Sequence, residues 1–568
     1  MKRPAAAAGA AAAAKRQSPA GGALAALSKP GPASLEQLLN WPDDVLGPLL
    51  EAGDGQDNFR LGNLLEFIGA NGRGLVIASD YSGLCGDREA LRMLVEGLRQ
   101  RDKESGYVRL LRACDFEPVC QLVLKHISEM EVEQMCVFRR LEDRLPKFAS
   151  DWIEAAKPAT DASSIEKSRA HLNIRSWLES NKARIFTQDC KSHCLTHNQL
   201  CYTSLLRQLR AETACYDESE TGDDPKFRPT LVHWAGTTCH AWTRAGSRQA
   251  SSHGSEVSHA IYTSERAAQA GAEAEDIFFQ ENAELFPVAS KLAEPLSASH
   301  IVVSVQVGPE DLGRPLRRRR TYAAGLNRET MVWLGGADYA DKFKRFFFRA
   351  MQCTGDVWMT APQWLQEEEG LRLSKMPRKN GRNLKSTMQF SQLDAASKRH
   401  AMLTAFQMAR LGEYNSMRGE TESWFCDLEQ SPHVGRSTPG PILPSHLTHG
   451  MMWSCKADRP VHVHESLNAH GYNVMTDSSC NYPSSLIHIF RQLGVNKLKF
   501  LMGNGFDLSV AGAWMAFVMC HSRRISRLAS IQPERSLMVR GTSSNFGVMV
   551  QDLLQDDPVT VEDMEENE

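Results

Sequence analysis

The run Gly74-Leu75-Val76-Ile77-Ala78-Ser79 is short, apolar and partly β-branched, as a buried strand is. A glycine-containing turn follows it, and Leu91, Leu94, Val95 and Leu98 then recur at the spacing of one helix face. This pattern predicts a strand, a turn and a helix. Tyr107 to Ala113 is a second apolar run, with Asp115 just beyond its end. Further strands are predicted at Thr230 to Trp234, Asp276 to Gln280, Ile301 to Val307 and Thr321 to Leu326, with apolar helical stretches between several of them. Alternating units of this kind predict an α/β fold with a mostly parallel sheet covered on both faces. Apolar periodicity returns after His462, where Ala511 to Met519 reads as a helix following a turn at Gly503-Asn504-Gly505.

Residues 346–455 break this pattern, being rich in aromatics, Met and Lys/Arg with few strand signals, and read as a separate module. Phe343, Phe346, Phe347 and Phe348 are assigned to that module's core. Residues 1–34 form an Ala, Gly and Pro tract with too little large apolar surface to repay chain ordering, and disorder is predicted there. The basic pairs Lys2-Arg3 and Lys15-Arg16 are spaced like a bipartite nuclear import signal, which is the ground for expecting a nuclear protein, and they equally fit a tail with stray charges. Residues 526–568 read as a second tail, ending in the acidic run Glu562 to Glu568.

Composition narrows the options. Among 568 residues, 65 Lys and Arg face 68 Asp and Glu, so the net charge of -3 excludes a polycation that holds nucleic acid by bulk charge. Any basic surface must be local. No stretch of about 18 uncharged apolar residues occurs, and the N-terminus lacks the apolar core of a secretory signal. Neither a membrane span nor export is therefore expected, and the 14 cysteines are read as reduced.

Five segments carry candidate chemistry. Asp80-Tyr81-Ser82-Gly83-Leu84-Cys85-Gly86 joins the first strand to the first helix, where small residues let backbone approach a nucleotide-like ligand, although the full GxGxxG spacing is missing. Asp115, at the tip of the second strand, is placed to hydrogen-bond a ribose hydroxyl. Gly236 to Gly246 sets Cys239 in a small-residue loop after an apolar strand, the exposure a nucleophile needs. Gln280-Glu281-Asn282 ends another strand with a carboxylate, and Gly313-Arg314-Pro315-Leu316-Arg317-Arg318-Arg319-Arg320-Thr321-Tyr322 gathers basic residues before the next.

In this order, over residues 74–520, these segments resemble the C5-cytosine methyltransferase family. Tyr81 to Gly86 resembles its S-adenosylmethionine turn, with Cys85 where Gly is usual, and Ala113 to Pro118 resembles its second motif. The resemblance implies that Tyr81, Ser82, Gly83, Gly86, Asp115, Phe116 and Asn504 surround the cofactor, with Asp115 on the ribose and Phe116 against the adenine. It implies Cys239 as nucleophile, Glu281 at N3 of the base, Arg320 at its O2, and Arg318 and Asn282 as organisers of the pocket. Arg459 to Glu465 with Gly471-Tyr472, and Gly503-Asn504-Gly505, resemble the ninth and tenth motifs. Thr238 and His240 stand where the family has Pro and Gln around the nucleophile, and Leu316 stands for its usual Gln.

The resulting organisation is a catalytic domain over 60–345, with a helical insertion at about 119–225, a target-recognition module over 346–455, and completion of the catalytic domain by 456–525. The expected reaction is methyl transfer from S-adenosylmethionine to C5 of cytosine in DNA. An RNA cytosine methyltransferase, and a nucleic-acid-binding protein of the same fold that has lost turnover through Thr238 and His240, stand as alternatives. Two further features accompany this reading. Cys190, Cys194, His197 and Cys201, with His193 as an alternative ligand, have a spacing that could close a zinc site or could reflect helical burial. Arg372, Lys375, Arg378, Lys379, Arg382 and Lys385 could contact DNA phosphates or form a solvated patch.

Overall fold

The computed structural model describes residues 29–52, 59–68, 74–101, 103, 106, 108–131, 134–213, 229–237, 242, 250–269, 275–375, 390–418, 420–433, 439–475 and 479–525. Of the predicted tails at 1–34 and 526–568, residues 1–28 and 526–568 lie outside them, whereas 29–34 are ordered, Lys29 and Pro30 pairing in parallel with Arg349 and Ala350.

Seven strands form the central sheet: β1 (Leu75–Asp80), β2 (Val108–Cys114), β3 (Cys136–Phe138), β4 (Thr230–Gly236), β5 (Ile277–Ala283), β6 (His300–Val307) and β7 (Arg320–Asn327). Their order is β3-β2-β1-β4-β5-β7-β6. The first five run parallel, and β7 is antiparallel to both of its neighbours. Every residue of β1 and of β5 is buried, so that Leu75 to Ala78 and Ile277 to Phe279 are continuous apolar runs rather than alternating ones, and the polar residues that follow each run are buried with it. The six predicted strands are all present. The unpredicted one is β3, whose three residues are too few to set up a period.

The helices include α1 (Trp41–Glu51), α2 (Gly86–Arg99), α3 (Pro118–Met130), α4 (Ser164–Ile185), α5 (Ser255–Ala268), α6 (Gln363–Lys375) and α7 (Leu508–Cys520). All thirteen residues of α7 are buried, as expected of a helix that is apolar all round. At Gly512 a Cβ would come within 2.7 Å of the Trp41 ring, so glycine there lets α1 lie directly on α7. The Trp41 indole donates to the Gly471 carbonyl at 3.1 Å. The main core therefore starts well before residue 60, the predicted domain edge. The Phe cluster also departs from expectation. Phe343 packs on Trp514 and Phe517 of α7, with ring centroids 5.7 and 5.4 Å apart, and so completes the main core rather than that of the following module.

The insertion opens after Phe138 rather than near residue 119, because α3 and β3 complete a parallel β-α-β unit of the sheet. It is not purely helical either. Besides the helix Lys147–Ala156 and α4 it holds an antiparallel hairpin, Lys191–Cys194 with Gln199–Tyr202. The expected recognition module, 346–455, contains α6, helices Ala395–Met402 and Ala405–Met417, and short strands at Phe425–Asp427 and Met452–Ser454, and its small antiparallel sheet extends past the predicted end at 455 to a third strand, Arg459–Pro460. Leu373, Met402, Leu411, Tyr414 and Trp453 give it a small core of its own.

Candidate active site

The strand order reverses at β1, with β2 on one side and β4 on the other. In open α/β sheets the crevice at the carboxyl ends of such strands is where ligands bind. The turn leaving β1 is tight: Tyr81, Gly83 and Cys85 all take positive φ, at 53°, 51° and 49°. Cys85 thus adopts the left-handed conformation that glycine tolerates best. Ser82 laces this turn to the tip of β2. Its hydroxyl donates to the Ser79 carbonyl at 2.8 Å and accepts from the Cys114 amide at 3.1 Å. Asp115 accepts from the amides of Gly83 and Glu117, both at 2.9 Å. Burial raises its carboxyl above the ordinary range, although those amide hydrogen bonds oppose the shift.

The predicted cofactor residues thus divide by role. Phe116, 54% exposed, presents a free aromatic face beside Asp115, and a Cβ at Gly83 would meet nothing within 4 Å. Ser82 and Gly86 serve the architecture. At Gly86 a Cβ would fall 2.7 Å from the Tyr472 hydroxyl, so glycine admits the segment that resembles the ninth motif. The ring of Tyr81 joins the apolar cluster beneath the insertion. Asn504 is exposed at the end of the helix Val495–Asn504, so the predicted turn is a helix terminus, and α7 starts separately behind Asp507, whose carboxylate accepts from the Val510 amide at 3.0 Å.

Across the crevice, β4 ends at Gly236 and Thr237. The Thr237 hydroxyl accepts from the side-chain amides of Gln280 at 2.9 Å and Asn282 at 2.7 Å. Between these two residues, Glu281 meets the Arg320 Nε at 3.1 Å. The pairing of β5 with β7 sets Glu281 opposite Tyr322, two residues from Arg320, and residues two apart on a strand share a face. Burial raises the Glu281 carboxyl, with Arg320 and then Arg318 pulling the other way. The Arg318 guanidinium donates to the carbonyls of Gly503, at 3.1 Å, and of Gly505, tying the arginine segment to the end of the helix at Asn504.

Cys239 lies outside the described residues, as do Thr238 and His240. Its flanks are described. Thr237 is buried, and Trp242 packs edge-on to Phe286, with centroids 6.1 Å apart, while the Lys291 ammonium sits 5.3 Å from its ring. Of the basic stretch, Arg372 belongs to α6 and pairs with Glu369 at 2.5 Å, so its charge is partly committed. Arg378, Lys379, Arg382 and Lys385 lie outside the described residues. The predicted metal set changes by one member. Cys136 of β3 joins Cys194, His197 and Cys201, whereas the Cys190 thiol donates to the Ile185 carbonyl at 3.1 Å.

Sequence reasoning missed the layer beneath the crevice. Asp80 is bound by Arg144 at 2.8 Å and by His233 at 3.0 Å. Arg144 also meets Glu265 at 2.9 Å, and Arg266 meets Glu275 at 2.7 Å. All six side chains are buried. Gln280 was legible in principle, since it precedes Asn282 by two residues and therefore shares its face. No local pattern marks Arg144, which comes from the insertion.

A β3-β2-β1-β4-β5-β7-β6 sheet with a reversed β7, and an acidic residue at the end of β2 holding the turn after β1, define the Rossmann-like fold of S-adenosylmethionine-dependent methyltransferases. Similar solved chains include a prophage-encoded E. coli chain described as a DNA modification methyltransferase, with 9% identity, a TM-score of 0.36, and coverage of 79% of this chain and 99% of that one. A mutant DNMT2 of Spodoptera frugiperda has 11% identity, a TM-score of 0.31 and coverage of 78% and 99%. The Entamoeba histolytica methyltransferase EhMeth has 11% identity, a TM-score of 0.33 and coverage of 78% and 97%. No protein-family model matches the chain, and no curated protein matches it.

Proposed function

We propose that this protein is a C5-cytosine methyltransferase that acts on DNA through a covalent cysteine adduct. The observation carrying this reading is the pairing of buried Glu281 with Arg320 on β5 and β7, beside a Thr237 hydroxyl held by Gln280 and Asn282 two residues before Cys239. The residues at the crevice fit S-adenosylmethionine through a carboxylate that can accept from ribose hydroxyls and an exposed aromatic face. Asp115 would hold the ribose and Phe116 would cover the adenine. When bound, the cofactor supplies an electrophilic methyl group.

Cytosine C5 is a poor nucleophile, and addition of a thiolate at C6 converts the ring to an enamine that is nucleophilic at C5. Cys239 makes that bond. Glu281, its carboxyl raised by burial, is suited to keep a proton and donate it toward N3, drawing electron density from C6. Arg320 holds O2 once Glu281 turns to the base, and Arg318 keeps the strand connection in place. The base must leave the stack to reach these groups. Loss of the C5 proton and elimination of the Cys239 thiolate then restore the aromatic ring.

Duplex DNA carrying 5-fluorocytosine tests the proposal, because fluorine cannot leave as a proton does. Wild-type protein with S-adenosylmethionine should form a denaturation-resistant complex with that DNA, and Cys239→Ser should form none. Absence of the complex with well-folded wild-type protein on varied duplexes would overturn the reading. Its appearance on fluorinated RNA alone would assign an RNA substrate instead.

A further inference from the structure

We infer that Cys136, Cys194, His197 and Cys201 form a closed structural zinc site that fastens the insertion to the edge of the central sheet. The Sγ atoms of Cys136, Cys194 and Cys201 lie 3.6, 3.4 and 3.5 Å from the same atom, His197 Nδ1. All four ligand atoms fall within 4.8 Å of one another. An imidazole nitrogen carries one proton or one lone pair, so it can satisfy one hydrogen-bond partner. Three sulfurs around it exceed that capacity. They match a coordination shell instead, since tetrahedral zinc with bonds of about 2.3 Å to sulfur and about 2.0–2.1 Å to nitrogen requires sulfur to nitrogen edges of about 3.5–3.6 Å.

The surrounding fold builds this convergence. Cys194, His197 and Cys201 belong to the hairpin of the insertion, where Asn198, at a φ of 52°, turns the chain back. Cys136 comes from β3, which pairs with β2 on its inner side. The hairpin approaches the outer side of β3, and the Leu195 amide donates to the Val137 carbonyl at 2.7 Å. Two four-residue strands form a marginal hairpin by themselves, and a metal bound from both sides would supply what this one lacks. On binding, the three cysteines release their protons to solvent and coordinate as thiolates, while His197 binds neutral through Nδ1. Four protein ligands leave no open position for substrate, so the site is structural. It also lies close to the cofactor crevice, because the Phe138 carbonyl of the same strand accepts the Asp115 amide at 3.3 Å. The inference does not depend on the proposed methyl transfer.

The test is metal analysis of the full chain, purified without an affinity tag or chelator. About one zinc per chain is expected, and cobalt exchange should give the intense visible bands of tetrahedral thiolate ligation. Cys201→Ser, at a half-exposed position, and Cys136→Ser should each lose the metal. Cys190→Ser should keep it, and His197→Cys should retain zinc where His197→Ala loses it. Folding of each variant is followed by circular dichroism, and the His197→Cys rescue reads the site even where Cys136→Ser fails to fold. Zinc near zero in folded wild-type protein, a disulfide among these cysteines, or loss of zinc from Cys190→Ser with retention in Cys201→Ser would overturn the assignment.

Discussion

Glu281 concentrates the chemistry of the site in one side chain. Burial raises its carboxyl against the opposing pull of Arg320 and Arg318, which favours the protonated form that can give a proton to a ring nitrogen. Replacing it with Gln keeps the size and a donor but removes the transferable proton. Glu281→Gln should lower kcat about 10²- to 10⁴-fold with cofactor affinity nearly unchanged, as single-turnover methylation and calorimetry would report. The raised carboxyl also sets a sign. The protonated, competent form is lost as pH rises through the folded pKa, so wild-type methylation should decline across that range. In the variant this limb should be missing.

At the scale of elements, the crevice rests on ion pairs that connect β1, β4, α5 and the insertion. Burial alone would raise Asp80, yet Arg144 and His233 hold it well below the usual carboxylate range. Glu265 and Glu275 are likewise lowered against burial, the first chiefly by Arg144 and the second by Arg266. For groups depressed in this way the stabilisation is complete above the unfolded pKa of about 4 and is lost as pH falls below it. Arg144→Met leaves Asp80 and Glu265 buried with less compensation and should cost about 3–5 kcal/mol. The acid limb of its melting temperature against pH, followed by circular dichroism, should be shallower than in wild type, because the folded pKa values of Asp80 and Glu265 move up toward their unfolded values. An unchanged acid limb would show that His233, Arg112 and Arg266 neutralise the cluster without Arg144.

For the whole molecule, a net charge of -3 means that the DNA of the proposed reaction would have to be held by a local basic surface. Arg378, Lys379 and Arg382, in the sequence stretch after α6 and outside the described residues, are the candidates for it. Neutralising the three together should shallow the dependence of log K on log salt by about 0.9 for each duplex DNA phosphate that the side chains had neutralised. A titration series in salt measures this directly, and an unchanged slope would assign the stretch to solvent.

Contiguous runs determine what a strand or turn can be, and at that range the sequence was sufficient. The six longer strands, the turn at Tyr81 to Gly86, Asp115 at a strand tip and Gln280-Glu281-Asn282 toward the end of another were all legible, because a strand covered by other layers carries a local apolar run against which the polar residues at its end stand out. Tertiary structure decided what depends on meeting across distance. It exchanged Cys190 for Cys136, since the hairpin folds back on the sheet edge. It drew Arg144 out of the insertion to neutralise Asp80, set Trp41 on Gly512, and sent Phe343 to α7 rather than to its neighbours in sequence. A side chain's period along the chain reports which face it occupies. What stands opposite that face is set by how the layers pack, and these partners lie tens to hundreds of residues away.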